Sequence, residues 1–185
     1  MITGLSSFLV QLASKERTTG VKLASLVAGT VVFLVVLPAV IFFVALSVIP
    51  SVVGGAIPRI EELVIAALVA GTGLSLVAWA ALAQWTVGRG TPAQTAPTRR
   101  LVTTGPYALC RNPIELGAVL YYFGVGTCFG SWIHGLVCLA LGLLGGSLFH
   151  HRVEELELER RFGAEYIAYR ERTPFLIPMF WWRRR

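Results

Sequence analysis

The chain contains few charged residues, and this scarcity restricts the class of protein it can be. Of its 185 residues, 14% are charged and 55% are hydrophobic, and the mean hydropathy is +0.70. Because a soluble domain carries about 25% charged residues, a soluble globule is excluded, and the apolar composition also excludes a disordered chain. Aspartate is absent, so all ten acidic residues are glutamate.

Cysteine is also scarce, and several familiar site motifs are missing. Cys110, Cys128 and Cys138 have no metal-ligand spacing and are typical of buried free thiols. His150 and Glu154 stand four residues apart but have no clear third ligand, so no metal is predicted. The chain has no Ser/His/acid order, phosphate loop or Gly-x-Gly-x-x-Gly. Residues 1–20 lack the features of a secretory signal.

Long stretches without Asp, Glu, Lys or Arg predict membrane spans. These stretches are residues 23–58, 63–88 and 116–151. A spanning helix needs about 20 apolar residues. A single helix over the last stretch would be about 54 Å long, far beyond an apolar core of about 30 Å. Glycines between 124 and 130 offer a turn, so we predict a helical hairpin over 113–129 and 132–151.

The predicted fold is an all-α polytopic membrane bundle with about four transmembrane helices. The spans are expected at 22–49, 62–87, 113–129 and 132–151. An amphipathic, charged helix is expected over 152–173. Further expectations are an interfacial helix within 1–20, a turn region over 50–58 and an aromatic and arginine anchor at 180–185. We treat 1–185 as a single membrane domain, in which 1–87 holds the N-terminal segment and two spans and 88–185 holds the polar loop, the helical hairpin and the C-terminal helix.

The distribution of lysine and arginine predicts the orientation in the membrane. Three lie before the first span, one after it, four after the second, none in the turn of the hairpin and eight at the C-terminal end. By the positive-inside rule both termini and the polar segments 88–112 and 152–185 face the cytoplasm. The expected location is a bacterial inner membrane. The net charge of +6 is thus interpreted as orientation and not as nucleic-acid binding. The oligomeric state is not predicted.

The polar loop before the predicted hairpin contains candidate site residues. Asn112, Pro113 and Glu115 have the spacing of a helix start with a capping box, which would explain them structurally. Alternatively, the helix start collects a polar ligand, since an ionisable group such as Glu115 at the edge of a span is a functional candidate. Gly117 would allow a ligand or a neighbouring helix to approach closely.

The C-terminal polar segment contains the second candidate group. His150, Glu154, Leu158, Phe162 and Tyr166 recur every four residues and predict one helix face. Glu154 would then point inward and need a cationic or donor partner. The other glutamates, Glu155, Glu157 and Glu159, fit a solvated helix face, as does the pairing of Glu157 with Arg161.

The ordered set of these motifs resembles the isoprenylcysteine carboxyl methyltransferase and phospholipid methyltransferase group of integral membrane enzymes. The resemblance covers roughly residues 88–178. It rests on Gly90-Thr91-Pro92, Leu101–Tyr107, Arg111–Gly117, Glu154-Glu155, Leu158, Phe162-Gly163, Tyr166, Tyr169, Pro174 and Pro178. It implies an S-adenosylmethionine-dependent methyltransferase acting on a lipophilic or membrane-embedded acceptor.

The resemblance also implies which residues bind the cofactor. These are Arg100, Leu101, Val102, Tyr107, Asn112, Pro113, Ile114, Glu115, Glu154 and Glu155. Three positions depart from the family pattern, since Asn112 replaces a histidine, Glu115 a tyrosine, and His150 a substrate-binding arginine. Neutral histidine is a weaker carboxylate partner than arginine, which argues against a prenylated cysteine carboxylate as acceptor.

The mechanism and its alternatives follow from the same residues. His150 lies on the face of Glu154 and could take a proton from an amine, thiol or hydroxyl nucleophile, which makes it the candidate catalytic residue. The first alternative is a non-catalytic membrane protein that binds lipid or a partner through its basic face. The second is a membrane reductase on a related scaffold. The acceptor group stays open among amine, thiol, carboxylate and hydroxyl.

Overall fold

The computed structural model describes residues 18–49 and 59–178, and all regular structure in these ranges is helical. The helices are α1 (Thr19–Val48), α2 (Ile60–Thr86), α3 (Pro113–Phe129), α4 (Trp132–Phe149), α5 (Glu155–Phe162) and α6 (Ala164–Arg172). A 3-10 turn covers Gly105–Ala108. The predicted all-α class is confirmed. The interfacial helix predicted within 1–20, the turn at 50–58 and the anchor at 180–185 lie outside the described residues, apart from positions 18–20.

Three of the described helices are long and apolar enough to cross a membrane. They are Thr19–Val48, Ile60–Thr86 and Trp132–Phe162. Helix α3 is apolar but has 17 residues, so the number of four spans stays a prediction. The bounds of α3 and α4 agree with those predicted for the hairpin, 113–129 and 132–151, to within two residues.

The C-terminal region differs from the prediction of one separate helix over 152–173. A π-helical turn at His150–Glu154 joins α4 to α5 without a break, so that the continuous helix runs to Phe162. Helix α5 ends at Phe162, and the next residue, Gly163, has a φ of 53°, which is readily adopted only by glycine. The chain then continues as α6, and the predicted single helix is therefore wrong at both its start and its middle.

The chain divides into two compact units. Within the described residues, the first consists of 18–29, 78–113 and 147–178, and the second of 30–49, 59–77 and 114–146. The prediction of a single membrane domain stays a prediction.

In the second unit, two tyrosines of α3 satisfy backbone carbonyls that α1 leaves exposed. Pro38 has no N–H to offer the Leu34 carbonyl, and in the π turn Val32–Val36 the Leu37 N–H bonds to the Val32 carbonyl. The Tyr121 hydroxyl donates to Leu34 O (3.0 Å) and the Tyr122 hydroxyl to Phe33 O (2.8 Å). In an apolar environment these bonds are needed, because an unsatisfied backbone carbonyl is costly.

The same unit packs α2 against α3 through glycines. A Cβ at Gly117 would lie 2.6 Å from the Gly73 carbonyl oxygen, and one at Gly124 would lie 2.6 Å from the Ala66 carbonyl oxygen. Both distances are too short for real atoms, so the two backbones approach as closely as small residues permit. The expectation that Gly117 admits a neighbouring helix is confirmed.

Candidate functional site

The first unit contains a cleft between the loop that follows α2 and the C-terminal helices. Of the residues implied by the resemblance, six line it: Leu101, Val102, Tyr107, Asn112, Glu154 and Glu155. Gln84 from the end of α2 and Thr91, Thr98 and Arg111 from the loop also contribute to its walls. The cleft thus brings together the two polar segments that the sequence separates by the hairpin.

The other predicted site residues lie elsewhere. Arg100 is exposed and lines a neighbouring depression. Pro113 is fully buried at the start of α3. Ile114 and Glu115 belong to the second unit, where the buried Glu115 carboxylate lies against Gly146. His150 is not among the residues lining the cleft.

The loop wall of the cleft is held by its own backbone. The buried Thr91 donates from both its amide nitrogen (2.8 Å) and its hydroxyl (3.0 Å) to the Ala96 carbonyl. The Gly88 carbonyl accepts from the amides of Arg99 (2.7 Å) and Arg100 (3.2 Å). These bonds close residues 88–100 into a compact loop, so that its cleft wall is fixed.

A buried ion pair joins this loop to α5. Arg161 donates to Glu157 Oε1 (2.8 Å) and to the Thr98 carbonyl. Glu157 is 2% exposed, so the interpretation of this pair as solvated surface is wrong. Glu157 and Arg161 stand three and seven residues after Glu154, within about 60° of it around an α-helix, so they share the face on which Glu154 lines the cleft.

The π turn and the helix after it also supply Glu155, which pairs with Arg111 across the cleft. The exposed fractions of the Arg111 and Glu155 side chains are 12% and 15%, so the solvated interpretation of Glu155 is also wrong. Glu159, in contrast, is 41% exposed and pairs with Arg170, as expected of a surface residue.

The C-terminal segment after α6 is bonded to two residues that line the cleft, Arg111 and Asn112. The Arg111 amide donates to the Pro174 carbonyl (2.9 Å), and Asn112 donates to the Phe175 carbonyl from both its amide nitrogen (3.2 Å) and its side chain (3.1 Å). The Phe175 ring stacks on His151 with 4.1 Å between centroids. Asn112 therefore holds the C-terminal segment in place with part of its side chain.

Three tyrosines form the inner wall of the cleft. The Tyr107 hydroxyl accepts from Gln84 Nε2 (2.5 Å), and the Tyr169 hydroxyl donates to the Tyr107 carbonyl (2.7 Å). Burial raises the pKa of Tyr107 well above its usual value, and the nearby Glu154 charge acts in the same direction. Burial likewise raises the pKa of Tyr169 and raises that of Tyr166 to about 12. All three phenols therefore keep their protons at neutral pH.

The partner that the sequence predicts for the Glu154 carboxylate is present within the chain itself. His150 Nδ1 contacts Glu154 Oε2 as an i,i+4 pair, with side-chain exposures of 16% and 27%. Glu154 also lines the cleft. The carboxylate is thus held from one side by the imidazole while it faces the cleft on the other.

Several residues of the cleft are missing from the sequence-based set, namely Gln84, Thr98, Arg111, Glu157 and Arg161. Gln84 could have been noticed as a polar side chain within an apolar helix, four residues before Gly88. Arg111 could have been noticed as the neighbour of Asn112. Glu157 and Arg161 could have been noticed because they stand three and seven residues after Glu154 and so share its helix face.

Comparisons with known proteins agree with the resemblance. The family described as phospholipid methyltransferase matches residues 62–165, which is more than half of the chain. Two similar proteins are the protein-S-isoprenylcysteine O-methyltransferases of Mus musculus and Rattus norvegicus, each 35% identical over 83 residues. This stretch covers 44% of the chain and 28% of each relative. No solved structure matches.

The range matched to the family contains most of the cleft. It begins near the start of α2 and ends at the start of α6, so that it includes Gln84, the loop wall, Arg111 and the glutamates of the π turn and α5. The helices long and apolar enough to span a membrane fit an integral membrane protein. From the matched range and the ordered motifs within it, we conclude that the chain belongs to the phospholipid methyltransferase family.

Proposed function

We propose that the protein is an integral membrane methyltransferase that uses S-adenosylmethionine to methylate a lipophilic acceptor. The observation that carries this proposal is the cleft of the first unit, which lies largely within the range matched to a methyltransferase family. It combines three carboxylates, two guanidinium groups and three protonated phenols. Such a mixed set of donors and acceptors suits a polar ligand that carries charges of both signs.

The unfilled hydrogen-bonding groups of the cleft support this ligand. Among the described residues, Gln84 Oε1 and Arg111 Nε are buried and have no hydrogen-bond partner. They offer an acceptor and a donor from the wall of the cleft. S-adenosylmethionine has a carboxylate for a guanidinium group, and an ammonium group and ribose hydroxyls for carboxylates. The residues therefore fit the cofactor.

We assign roles to the residues that line the cleft. Arg111 would hold the cofactor's carboxylate, and Glu154 and Glu155 would hold its ammonium or hydroxyl groups, while Leu101 and Val102 would contact its apolar surface. When bound, the cofactor supplies a methyl group on a positively charged sulfur. The chain's own part is to fix that group's position and to exclude water.

The acceptor is proposed to reach the site from the membrane. Four spans with both termini in the cytoplasm would place the loop 88–112 and the C-terminal helices on the cytoplasmic side, where the water-soluble cofactor enters. A lipophilic acceptor could enter sideways between spans. The proposed location is a bacterial inner membrane, and the acceptor is an amine, thiol, carboxylate or hydroxyl group on a lipid-like molecule.

Cofactor binding and methyl transfer can each be measured on the purified full chain. In detergent, calorimetry is expected to detect one S-adenosylmethionine per chain. Incubation with cofactor labelled in the methyl group and a membrane lipid extract is expected to give a labelled lipid, to be identified by its mass. If the native protein binds no S-adenosylmethionine, the chain is not a methyltransferase of this kind and a non-catalytic role is favoured.

His150 is proposed as the catalytic base. Its Nδ1 contacts Glu154, which favours the tautomer protonated at Nδ1 and makes Nε2 the basic nitrogen. Replacing His150 with alanine is expected to lower turnover about 100-fold, because a positioned base contributes at least that much. S-adenosylmethionine binding should change by less than about threefold. Unchanged turnover in this variant would remove the role.

A further inference from the structure

A second depression in the first unit gathers three arginines that the proposed methyl transfer does not use. It is lined by Thr86, Val87, Arg89, Arg99, Arg100, Leu101, Phe162 and Glu165, and we call it the arginine pocket. Three guanidinium groups face one carboxylate, so the lining keeps a net positive charge. Arg100, which the resemblance assigns to the cofactor, belongs to this pocket.

The backbone fixes the arginines in place. The Gly88 carbonyl accepts from the amides of both Arg99 (2.7 Å) and Arg100 (3.2 Å). The carbonyl of Arg89 accepts from the Lys22 ammonium group (2.9 Å), which brings a fourth cation to the rim. Side chains that start from a fixed backbone lose less freedom when they bind a ligand.

Arg89 adopts a backbone conformation that its residue type does not favour. Its φ is 55°, and within the described ranges no other residue except glycine has a positive φ. The left-handed region costs such a residue of order 1 kcal/mol or more, and residues held there concentrate at binding sites. A glycine at this position would avoid the cost, so the energetic benefit that offsets it must come from the arginine side chain.

The other side of the pocket is apolar and lies at the end of a membrane-length helix. Thr86 is the last residue of α2, and Val87 directly after it is 44% exposed. Leu101 and Phe162 continue this apolar lining. A ligand that fits both sides carries an anionic group joined to hydrocarbon, and a phospholipid at the membrane surface has this form.

We propose that the arginine pocket binds the phosphate group of an anionic membrane lipid. Arg89, Arg99 and Arg100 bind the phosphate oxygens, and Val87, Leu101 and Phe162 contact the start of the acyl chains. Guanidinium groups match phosphate geometry through paired hydrogen bonds. Leu101 lines both this pocket and the cleft, so the lipid lies beside the cleft without occupying it. The proposal does not depend on methyl transfer.

Native mass spectrometry of the full chain in detergent tests the proposal. The protein is titrated at constant ionic strength with dimyristoyl phosphatidylglycerol and, separately, with dimyristoyl phosphatidylcholine. The native protein is expected to prefer the anionic lipid at least tenfold. Each single change among R89Q, R99Q and R100Q should reduce this preference by about fivefold, the effect of one basic residue near a lipid surface. The triple variant should bind both lipids equally.

A matched variant tests whether the preference for anionic lipid comes from the arginine pocket or from positive charge in general. R152Q/R160Q/R172Q removes three other exposed arginines of the same unit and is expected to keep at least a third of the preference. An equal loss in this variant, or no preference in the native protein, overturns the proposal.

Inorganic phosphate at millimolar concentration should displace less than half of the bound phosphatidylglycerol, and full displacement would assign the site to a soluble anion. Far-ultraviolet circular dichroism checks that each variant is folded.

Discussion

Replacing Glu154 with glutamine is expected to weaken S-adenosylmethionine binding about 300-fold. The carboxylate lines the cleft and is held by His150, so the change removes a positioned negative charge from the site proposed for a cationic ligand. Removing one partner of a desolvated charge pair costs about 2–5 kcal/mol, and the middle of this range corresponds to the expected loss. Calorimetry in detergent, with the native chain in parallel, measures it.

The control for this variant is Glu159→Gln, which removes the same charge from the same helix region. The Glu159 side chain is 41% exposed and pairs with Arg170, and neither residue lines the cleft. Its replacement is expected to change the dissociation constant by less than about twofold, since exposed ion pairs contribute little. Binding of the Glu154→Gln variant within threefold of the native value would remove Glu154 from the site.

Much of the fold follows from where the charges are absent. The charge-free stretches indicate the apolar helices. The stretch over 116–151 is too long for one span and therefore predicts a hairpin, and the bounds of that hairpin agree with α3 and α4. Proline at position 113 indicates a helix start and the glycines near 124–130 indicate a turn, and both signals are local, so they do not depend on tertiary contacts. The inward position of Glu154 also follows from a local pattern of spacing.

The remaining parts of the cleft depend on features that the sequence does not express locally. Residues 150–154 contain no proline or glycine, yet they form the π turn that joins α4 to α5. The bond from the side chain of Asn112 to the Phe175 carbonyl joins residues 63 positions apart. A contact of this kind arises from tertiary packing, which a local pattern of spacing does not contain.

The clearest test of the packing in the second unit compares two glycines of α2 that stand two residues apart. Replacing Gly73 with leucine is expected to prevent the protein from folding in detergent. A Cβ at position 73 would lie 2.8 Å from the Tyr121 amide nitrogen and 3.0 Å from the Leu120 Cβ, and it would also contact the Gly117 carbonyl. Two of these three neighbours are backbone atoms of α3, which cannot move away without separating the helices.

Gly71 provides the matched control, because a Cβ there would meet no atom within 4 Å. Leucine has a higher helix propensity than glycine, so Gly71→Leu is expected to keep the native melting temperature or raise it slightly. Overpacking costs typically about 1–3 kcal/mol where side chains can rearrange, and more where backbone is in the way. Gly73→Ala should therefore lower the melting temperature measurably, while Gly73→Leu should elute as aggregate in size-exclusion chromatography. If the Gly73→Leu variant instead folds and has the same melting temperature as the Gly71→Leu variant, α2 and α3 do not approach each other as described.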